Sequence, residues 1–457
     1  MLPDLALLGT FDFCVDERGL SWRALVHVCR KWRNVVFGSP RRLGLRLYYD
    51  ARTSVDKALD VWPPLPIIIK AHYFDSWGVD NILAALQRND RICHFGLSGF
   101  PSSQLEKLLA AMQRPFPALT HLRTWPGYSE QPPLSISASF LDGVSPRLQT
   151  LDLCRISFPG LPKLILSATH LVTLSLEEIP RSGYISPEEM VTCLSELTRL
   201  ETLCVELGSP QSFPDQRSPC FPPRTRTLLP ALTKLRLQGV DEYLEDFAAR
   251  IDAPLLSDLI IIFFQEDIYD TPQVAQFISR IPKFESYHAA QVVFSDVDTS
   301  VALIPIIRTP DSRLELRILY SQPDDQLLSQ VEVCSSSFPQ TLIANVDHLY
   351  LLAHGCWNCQ PDDNIESGHW LDLLRPFTGV RRLYIHSEFT PYIMFALQDV
   401  IEEGVTEVLP ALRTLFWQEK PSQQDVWDAM KQFVAARRLA GFPITVNLGD
   451  AWQETDY

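Results

Sequence analysis

Cys356-Trp357-Asn358-Cys359, with His354 just before it and His369 just after, is where thiols and imidazoles fall at metal-ligand spacing. A Cys-x-x-Cys pair is half of a tetrahedral zinc site, and His354 and His369 nominally complete four ligands. A second close-spaced pair is missing, and the motif follows a strand-like segment where loop thiols are common. The expectation is two free thiols, with no metal and no other cofactor. Redox chemistry at such a pair needs a thioredoxin-like βαβ setting, which is absent. The acidic pairs Asp324-Asp325, Asp362-Asp363 and Glu402-Glu403 sit in polar stretches of the kind that cap helices or solvate loops. No nucleophile elbow, phosphate-binding loop, dinucleotide fingerprint or metalloprotease helix occurs. The chain is therefore expected to be non-catalytic, with no catalytic residues.

Composition narrows the classes further. With 457 residues the chain is too long for one compact core, and 46% hydrophobic with 21% charged residues excludes wholesale disorder. Forty basic against 55 acidic groups, a net charge of −15, argue against a nucleic-acid partner. No run approaches the ~20 apolar residues of a spanning helix, so no membrane partner is expected. Ten scattered cysteines and no Asn-x-Ser/Thr acceptor suit a cytoplasmic or nuclear protein with reduced thiols. Residues 1–50 carry eight Lys/Arg and five Asp/Glu, so the remainder holds −18; that shift marks a boundary.

Internal repeats organise the remainder. The pattern apolar-x-x-apolar-x-apolar reads Leu148-Gln-Thr-Leu151-Asp-Leu153 and recurs from Leu171, Leu200, Leu232 and Leu256. After a 90-residue gap it returns from Val346, Val380 and Leu412. The gap has room for two degenerate copies near Gln291–Phe294 and Leu314–Ile318; Leu119–Leu122 and Ile92–Leu97 extend the series upstream. Helical signals lie between the strands: Ser186-Pro187-Glu188-Glu189, Ser103–Met112, Asp241–Ile251, Thr271–Ile281, Asp324–Val333 and Ser422–Leu439. Strand, loop and helix every ~20–35 residues predict an α/β leucine-rich-repeat solenoid over 46–457, with parallel strands on the concave face and helices on the convex face. The 35 prolines punctuate the turns, as in Leu-Pro-Ala-Leu at 229–232 and 409–412. Residues 209–227 read as a proline-rich edge loop. A doubly wound α/β domain is the rival architecture.

Residues 1–45 read as a short all-α head. Leu25, Cys29, Trp32 and Val36 fall at helical spacing as a buried stripe, while Arg30, Lys31 and Arg33 stay wet. Leu2-Pro3, Phe11 eight residues after that proline, Val28-Cys29-Arg30-Lys31-Trp32-Arg33, and the following Ser39-Pro40 and Leu43 resemble an F-box. The head and the array behind it are similar to the expanded F-box families of mushroom-forming fungi. The resemblance implies a substrate receptor of an SCF-type cullin-RING ubiquitin ligase, whose partners are a Skp-type adaptor and a protein substrate. It also implies adaptor binding through Leu2, Pro3, Leu7, Leu8, Phe11, Val28, Cys29 and Trp32. The competing class is a ligase-independent repeat scaffold or sensor with a degenerate F-box.

Alternation along each strand turns the residues between the leucines towards the concave surface. Early repeats place Thr150, Asp152, Thr173, Ser175, Glu177, Thr202 and Glu206 there; later ones place His348, Tyr350, Arg382, Tyr384, His386 and Phe416. Aromatics and arginine dominate binding hot spots, so the later strip is the expected substrate-binding surface. No strongly basic phosphate pocket is evident, and the acidic array favours a basic substrate.

Overall fold

The computed structural model describes residues 3–14, 22–40, 42–43, 45–49, 64–72, 78–127, 133–213, 225–264, 271–295, 298–305, 312–319, 338–354, 367–404, 406–418 and 423–448. Leu2, most of 209–227, the expected helix Asp324–Val333 and the Cys356–Cys359 motif lie outside them.

Each copy of the leucine motif folds the same way. Its first apolar residue closes a turn: the N–H of Leu148 donates to the Ser145 carbonyl at 3.1 Å, Leu256 to Ala253 at 3.2 Å, Val346 to Ile343 at 3.1 Å and Leu412 to Leu409 at 3.0 Å. The next two N–H groups then share one carbonyl of a neighbouring strand. Gln149 and Thr150 both donate to Thr120 (2.7 and 3.0 Å), Val172 and Thr173 to Gln149 (2.8 and 3.0 Å), and Arg381 and Arg382 to Asp347 (2.9 and 3.0 Å). With the turn closed and two donors spent, the chain leaves extended, and its first, fourth and sixth residues point one way. Leu148, Leu151, Leu153, Val346, Leu349, Leu351, Val380, Leu383 and Ile385 are all buried. Each contributes about 1.5–3 kcal/mol by leaving water.

The chain divides into two compact units, residues 1–185 with 192–202, and residues 186–191 with 203–457. In the first, β1 (Leu47–Tyr49), β2 (Ile67–His72), β3 (Ile92–Phe100), β4 (His121–Pro126), β5 (Thr150–Cys154) and β6 (Thr173–Ile179) form consecutive parallel neighbours. The helix Ser102–Ala110 between β3 and β4 buries Leu105, Leu108 and Leu109, as its spacing predicts.

The head belongs to this unit and is three helices: α1 (Asp4–Cys14), α2 (Trp22–Val28) and α3 (Arg30–Gly38). The expected continuous stripe is broken at Cys29. Its backbone is extended (φ −159°, ψ 169°), and its Sγ caps α3 by accepting from the Trp32 N–H at 3.5 Å. Leu25 and Val36 are buried as expected, whereas Cys29 is exposed and Trp32 half-buried, because the chain turns there instead of continuing. The Trp22 indole N–H donates to the Arg46 carbonyl at 3.2 Å and ties the head to the entry of β1.

In the second unit the sheet begins with β7 (Thr202–Leu207), β8 (Lys234–Gly239) and β9 (Asp258–Phe264), and ends with β13 (His348–Ala353), β14 (Arg382–Ile385), β15 (Thr414–Trp417) and β16 (Thr445–Leu448). Between them the two degenerate copies exist as β10 (Ala289–Phe294) and β12 (Arg313–Leu319), but in reversed spatial order around an unforeseen β11 (Asp298–Ile304). β12 pairs with β9, β10 pairs with β13, and β11 is antiparallel to both. The reason is local. Ser295 and Asp298 clasp each other, Ser295 Oγ donating to Asp298 Oδ1 at 2.6 Å and accepting from the Asp298 N–H at 3.1 Å. So short a connection makes a hairpin, since a parallel crossover needs a dozen or more residues. Helices Asp241–Arg250, Pro272–Ser279 and Gln424–Leu439 follow the sequence expectation within a few residues. At Ser186 the N-cap is present, its Oγ accepting from the Glu189 N–H at 3.2 Å.

Leu349→Ala, in a fully buried motif position, should cost about 2–5 kcal/mol in chemical denaturation. Arg413→Ala, exposed one residue before β15, should stay within about 0.5 kcal/mol of wild type.

Candidate functional site

The second unit gathers the expected substrate strip into one row. In-register parallel pairing aligns Gln291, Tyr350, Tyr384, Phe416 and Asn447 across β10, β13, β14, β15 and β16. Because neighbouring strands lie only ~4.8 Å apart, identical orientations make the rings stack. The Tyr350 and Tyr384 centroids are 4.3 Å apart with 11° between planes, and Tyr384 and Phe416 are 4.4 Å apart with 6°. The central Tyr384 is thereby buried by its neighbours, while Tyr350 and Phe416 remain half-buried.

One rung earlier, His348 stands beside Arg382, and an Arg382 guanidinium N–H donates to His348 Nε2 at 3.1 Å. That bond requires a neutral acceptor nitrogen. Burial, then the Arg382 charge, accordingly push the His348 imidazole below its usual value, with Asp347 opposing them. His386 falls outside the row: it follows the last residue of β14, accepts the Glu388 N–H at 3.4 Å and leans on Phe389. The structure thus brings together five of the six expected residues and sets His386 aside.

Beside the aromatic row lies a charged cluster that the sequence did not disclose. Buried Glu315 accepts from Arg313 at 2.9 Å and Arg317 at 2.7 Å, and Arg317 also reaches Asp298 at 3.1 Å. Asp298 comes from the unforeseen β11, so no local spacing announces this network. It is internally neutralised, which suits it to holding the hairpin rather than a ligand.

In the first unit the early-repeat residues face outward but are largely covered. Asp152 is buried by accepting the Trp125 indole N–H at 2.7 Å and pairing with Arg123 at 2.6 Å; burial nevertheless raises its carboxyl above the usual range. Ser175 is also buried and donates to Glu177 at 2.8 Å. In the second unit buried Glu206 pairs with Arg236. Across from Asp152, His94 and His121 stack with centroids 5.1 Å apart, and His121 Nδ1 meets the Thr120 hydroxyl at 2.8 Å. Burial, then the charges of Lys70, His121, Arg123 and Arg46, push His94 down to about 4; burial, then Arg46, Lys70 and Arg123, lower His121.

The head sorts the expected adaptor residues into two groups. Leu7, Leu8 and Phe11 are buried, and Phe11 meets Trp32 edge-on at 4.8 Å, so these side chains hold the head together. Ion pairs Lys31–Asp4 (3.2 Å) and Arg42–Asp12 (3.0 Å) pin the two ends of α1. Pro3, Cys29 and Val28 are exposed, Val28 at 60%, together with two large apolar residues that the sequence reading passed over, Leu5 at 75% and Phe13 at 93%. Their signal was available: on α1 both lie off the Leu7–Leu8–Phe11 face.

Among the described residues no group of three or more His, Cys, Asp and Glu is arranged to hold a metal ion, and no helix is long and apolar enough to cross a membrane. His354 and His369 are described, the two cysteines between them are not.

No family model matches the chain, and no curated protein matches it. The resemblance of residues 1–45 to an F-box therefore rests on their sequence alone. Among solved structures the chain is similar to the leucine-rich repeat-containing protein LegL7 from Legionella pneumophila, at 12% identity over 85% of this chain and 97% of that one. The TM-score is 0.27, too low for the likeness to carry any argument. The repeat architecture stands instead on the shared-carbonyl turns and the strand register.

The imidazole pair makes a measurable demand on pH. His94 titrates near its ordinary 6.5 when unfolded and at about 4 when folded. Its contribution to stability is therefore present above pH 6.5 and lost as pH falls towards 4. Urea midpoints measured across that range should fall, and His94→Gln should flatten the slope.

Proposed function

We propose that the protein is a non-catalytic binding protein, the substrate receptor of an SCF-type ubiquitin ligase. The observation that carries this reading is the head. Three short helices bury Leu7, Leu8, Phe11, Trp22, Leu25 and Val36, yet leave Leu5, Phe13 and Val28 in water. Exposed leucine, phenylalanine and valine on so small a body suit a protein partner, and the F-box resemblance of this segment names a Skp-type adaptor. The aromatic row of the second unit is the candidate substrate surface. Ring faces at fixed spacing offer apolar area with little side-chain entropy left to lose, and Arg382 and His348 supply polar contacts one rung alongside the row. Ubiquitin transfer would be done by other subunits; this chain raises the effective concentration of the substrate beside them.

The burial of Leu7, Leu8 and Phe11 inside the head supports a second reading. These are adaptor-facing residues in the resemblance, and a head that consumes them internally suits a scaffold with a degenerate F-box.

A pull-down with the Skp-type adaptor separates the two. Phe13→Asp with Val28→Asp should abolish adaptor capture at unchanged thermal stability if the receptor reading holds. Wild-type protein that fails to bind the adaptor leaves the scaffold. Tyr350→Ala with Phe416→Ala should lose the substrate found by proximity labelling while adaptor capture persists; unchanged labelling removes the aromatic row from the proposal.

A further inference from the structure

Five basic side chains far apart in the sequence meet on the exposed sheet face of the first unit. Register places Ile68, His94 and His121 on one rung, and Lys70, Gly96, Arg123 and Asp152 on the next. Side chains two apart along a strand share a face, so Lys70, His94, His121 and Arg123 all project together. Arg46, from the segment entering β1, acts electrostatically on both imidazoles. Arg46, Lys70 and Arg123 are exposed, and among the described residues no acidic group pairs with Arg46 or Lys70; Arg123 alone has one, in Asp152. Gly96 lies between Lys70 and Arg123 and leaves room for the His94 ring, whose Nε2 a Cβ there would meet at 3.3 Å.

Asp152 offsets only one of the three permanent charges, and like charges held together with so little internal compensation repel. We infer that this face is a docking surface for an acidic peptide segment, its carboxylates seated between Lys70 and Arg123 above Gly96 and reaching Arg46. The open geometry favours a peptide over a free anion. Lys70 and Arg123 flank an intervening strand and so stand about 10 Å apart, the reach of an extended segment rather than of one small ion. A lone anion on an open face stays hydrated and screened, whereas linked carboxylates engage several cations at once. Trp125, one rung beyond Arg123, adds a partly exposed ring alongside. This surface is distinct from the aromatic row, and its assignment goes beyond the receptor reading. It reverses locally the preference for basic partners that the net charge of −15 suggests.

Binding is coupled to protons. The groups facing the stacked imidazoles are Lys70 from β2, Arg123 from β4, Arg46 ahead of β1, and the Thr120 hydroxyl, with Asp152 of β5 behind Arg123; His72 of β2 lies two rungs away, bonded to Ser98. Burial is the larger cause that lowers His94 and His121, and the neighbouring cations the smaller; a bound carboxylate offsets the second, so the complex takes up protons as pH falls and tightens with it.

Titration calorimetry on the full chain tests this with hexaglutamate, hexaglutamine and inorganic phosphate. Hexaglutamate is expected to bind, with affinity falling as salt is raised. Lys70→Glu and Arg46→Glu should each weaken it at least about tenfold, while Arg147→Glu, exposed elsewhere in the unit, should leave it unchanged. Near pH 6 the heat should vary with the ionisation enthalpy of the buffer, and His94→Gln with His121→Gln should remove that variation. Equal binding of hexaglutamine, equally tight binding of inorganic phosphate, or hexaglutamate binding untouched by Lys70→Glu would overturn the inference. Thermal unfolding verifies that each variant is folded, and Lys70→Gln carries the test if charge reversal is not tolerated. Failure here leaves the aromatic-row experiment standing, since no residue is shared.

Discussion

One carbonyl shared by two successive N–H groups sets the register of the array. At the motifs from Leu148, Leu171, Leu200, Leu256, Val346, Val380 and Leu412 the turn leaves two donors side by side, and both go to a single carbonyl at the entry of a neighbouring strand. A shift of one residue would cost those bonds and swing the leucines onto the wet face. Register is thereby locked from both sides, by polar satisfaction at the strand entry and by burial along it. The order of the exposed face is a consequence, because side chains at equal positions are forced into rows at strand spacing.

Those rows decide what each sheet face presents. A row of rings stacks and shields its own centre, as Tyr384 shows. A row of cations cannot do this: register holds Lys70 and Arg123 two strands apart across Gly96, and burial, then the neighbouring charges, lower His94 on the rung before. The same backbone device thus yields an apolar strip in one unit and a polar, electrostatically loaded face in the other. Acidic side chains in the corresponding positions are handled in a third way. Asp152 and Glu206 are each covered by an arginine from a neighbouring strand, and Asp152 by an indole as well.

Much of this was legible in the sequence, and the limits are physical. Leucine spacing located the repeat strands because burial repeats with the chain, and the alternation named Tyr350, Tyr384 and Phe416 as outward. The basic face was not legible. Arg46, Lys70, His94 and Arg123 are neighbours through register across some 25 residues at a time, and composition averages them into an acidic whole. Cys29 was misplaced because helical spacing alone cannot reveal that a thiol has become a cap. The edge strand Thr445–Leu448 was missed because it has only one neighbouring strand and so needs no leucine motif. In the head, helical spacing placed Leu25 and Val36 inside correctly, and the residues the resemblance gives to an adaptor divide between buried Leu7, Leu8 and Phe11 and exposed Pro3, Val28 and Cys29.

The reversed strands around the Ser295–Asp298 clasp bear on how the second unit is built. A plain repeat array grows by adding each strand to the one before, so its contacts stay local and assembly can spread from any point. Here β9 must wait for β12, and β10 for β13, each across more than 50 residues of chain. The antiparallel trio is joined to its flanks by these long-range pairings, while its own pairings are between successive strands. The middle of this unit therefore raises the contact order above that of a plain repeat array, and contact order is what slows folding.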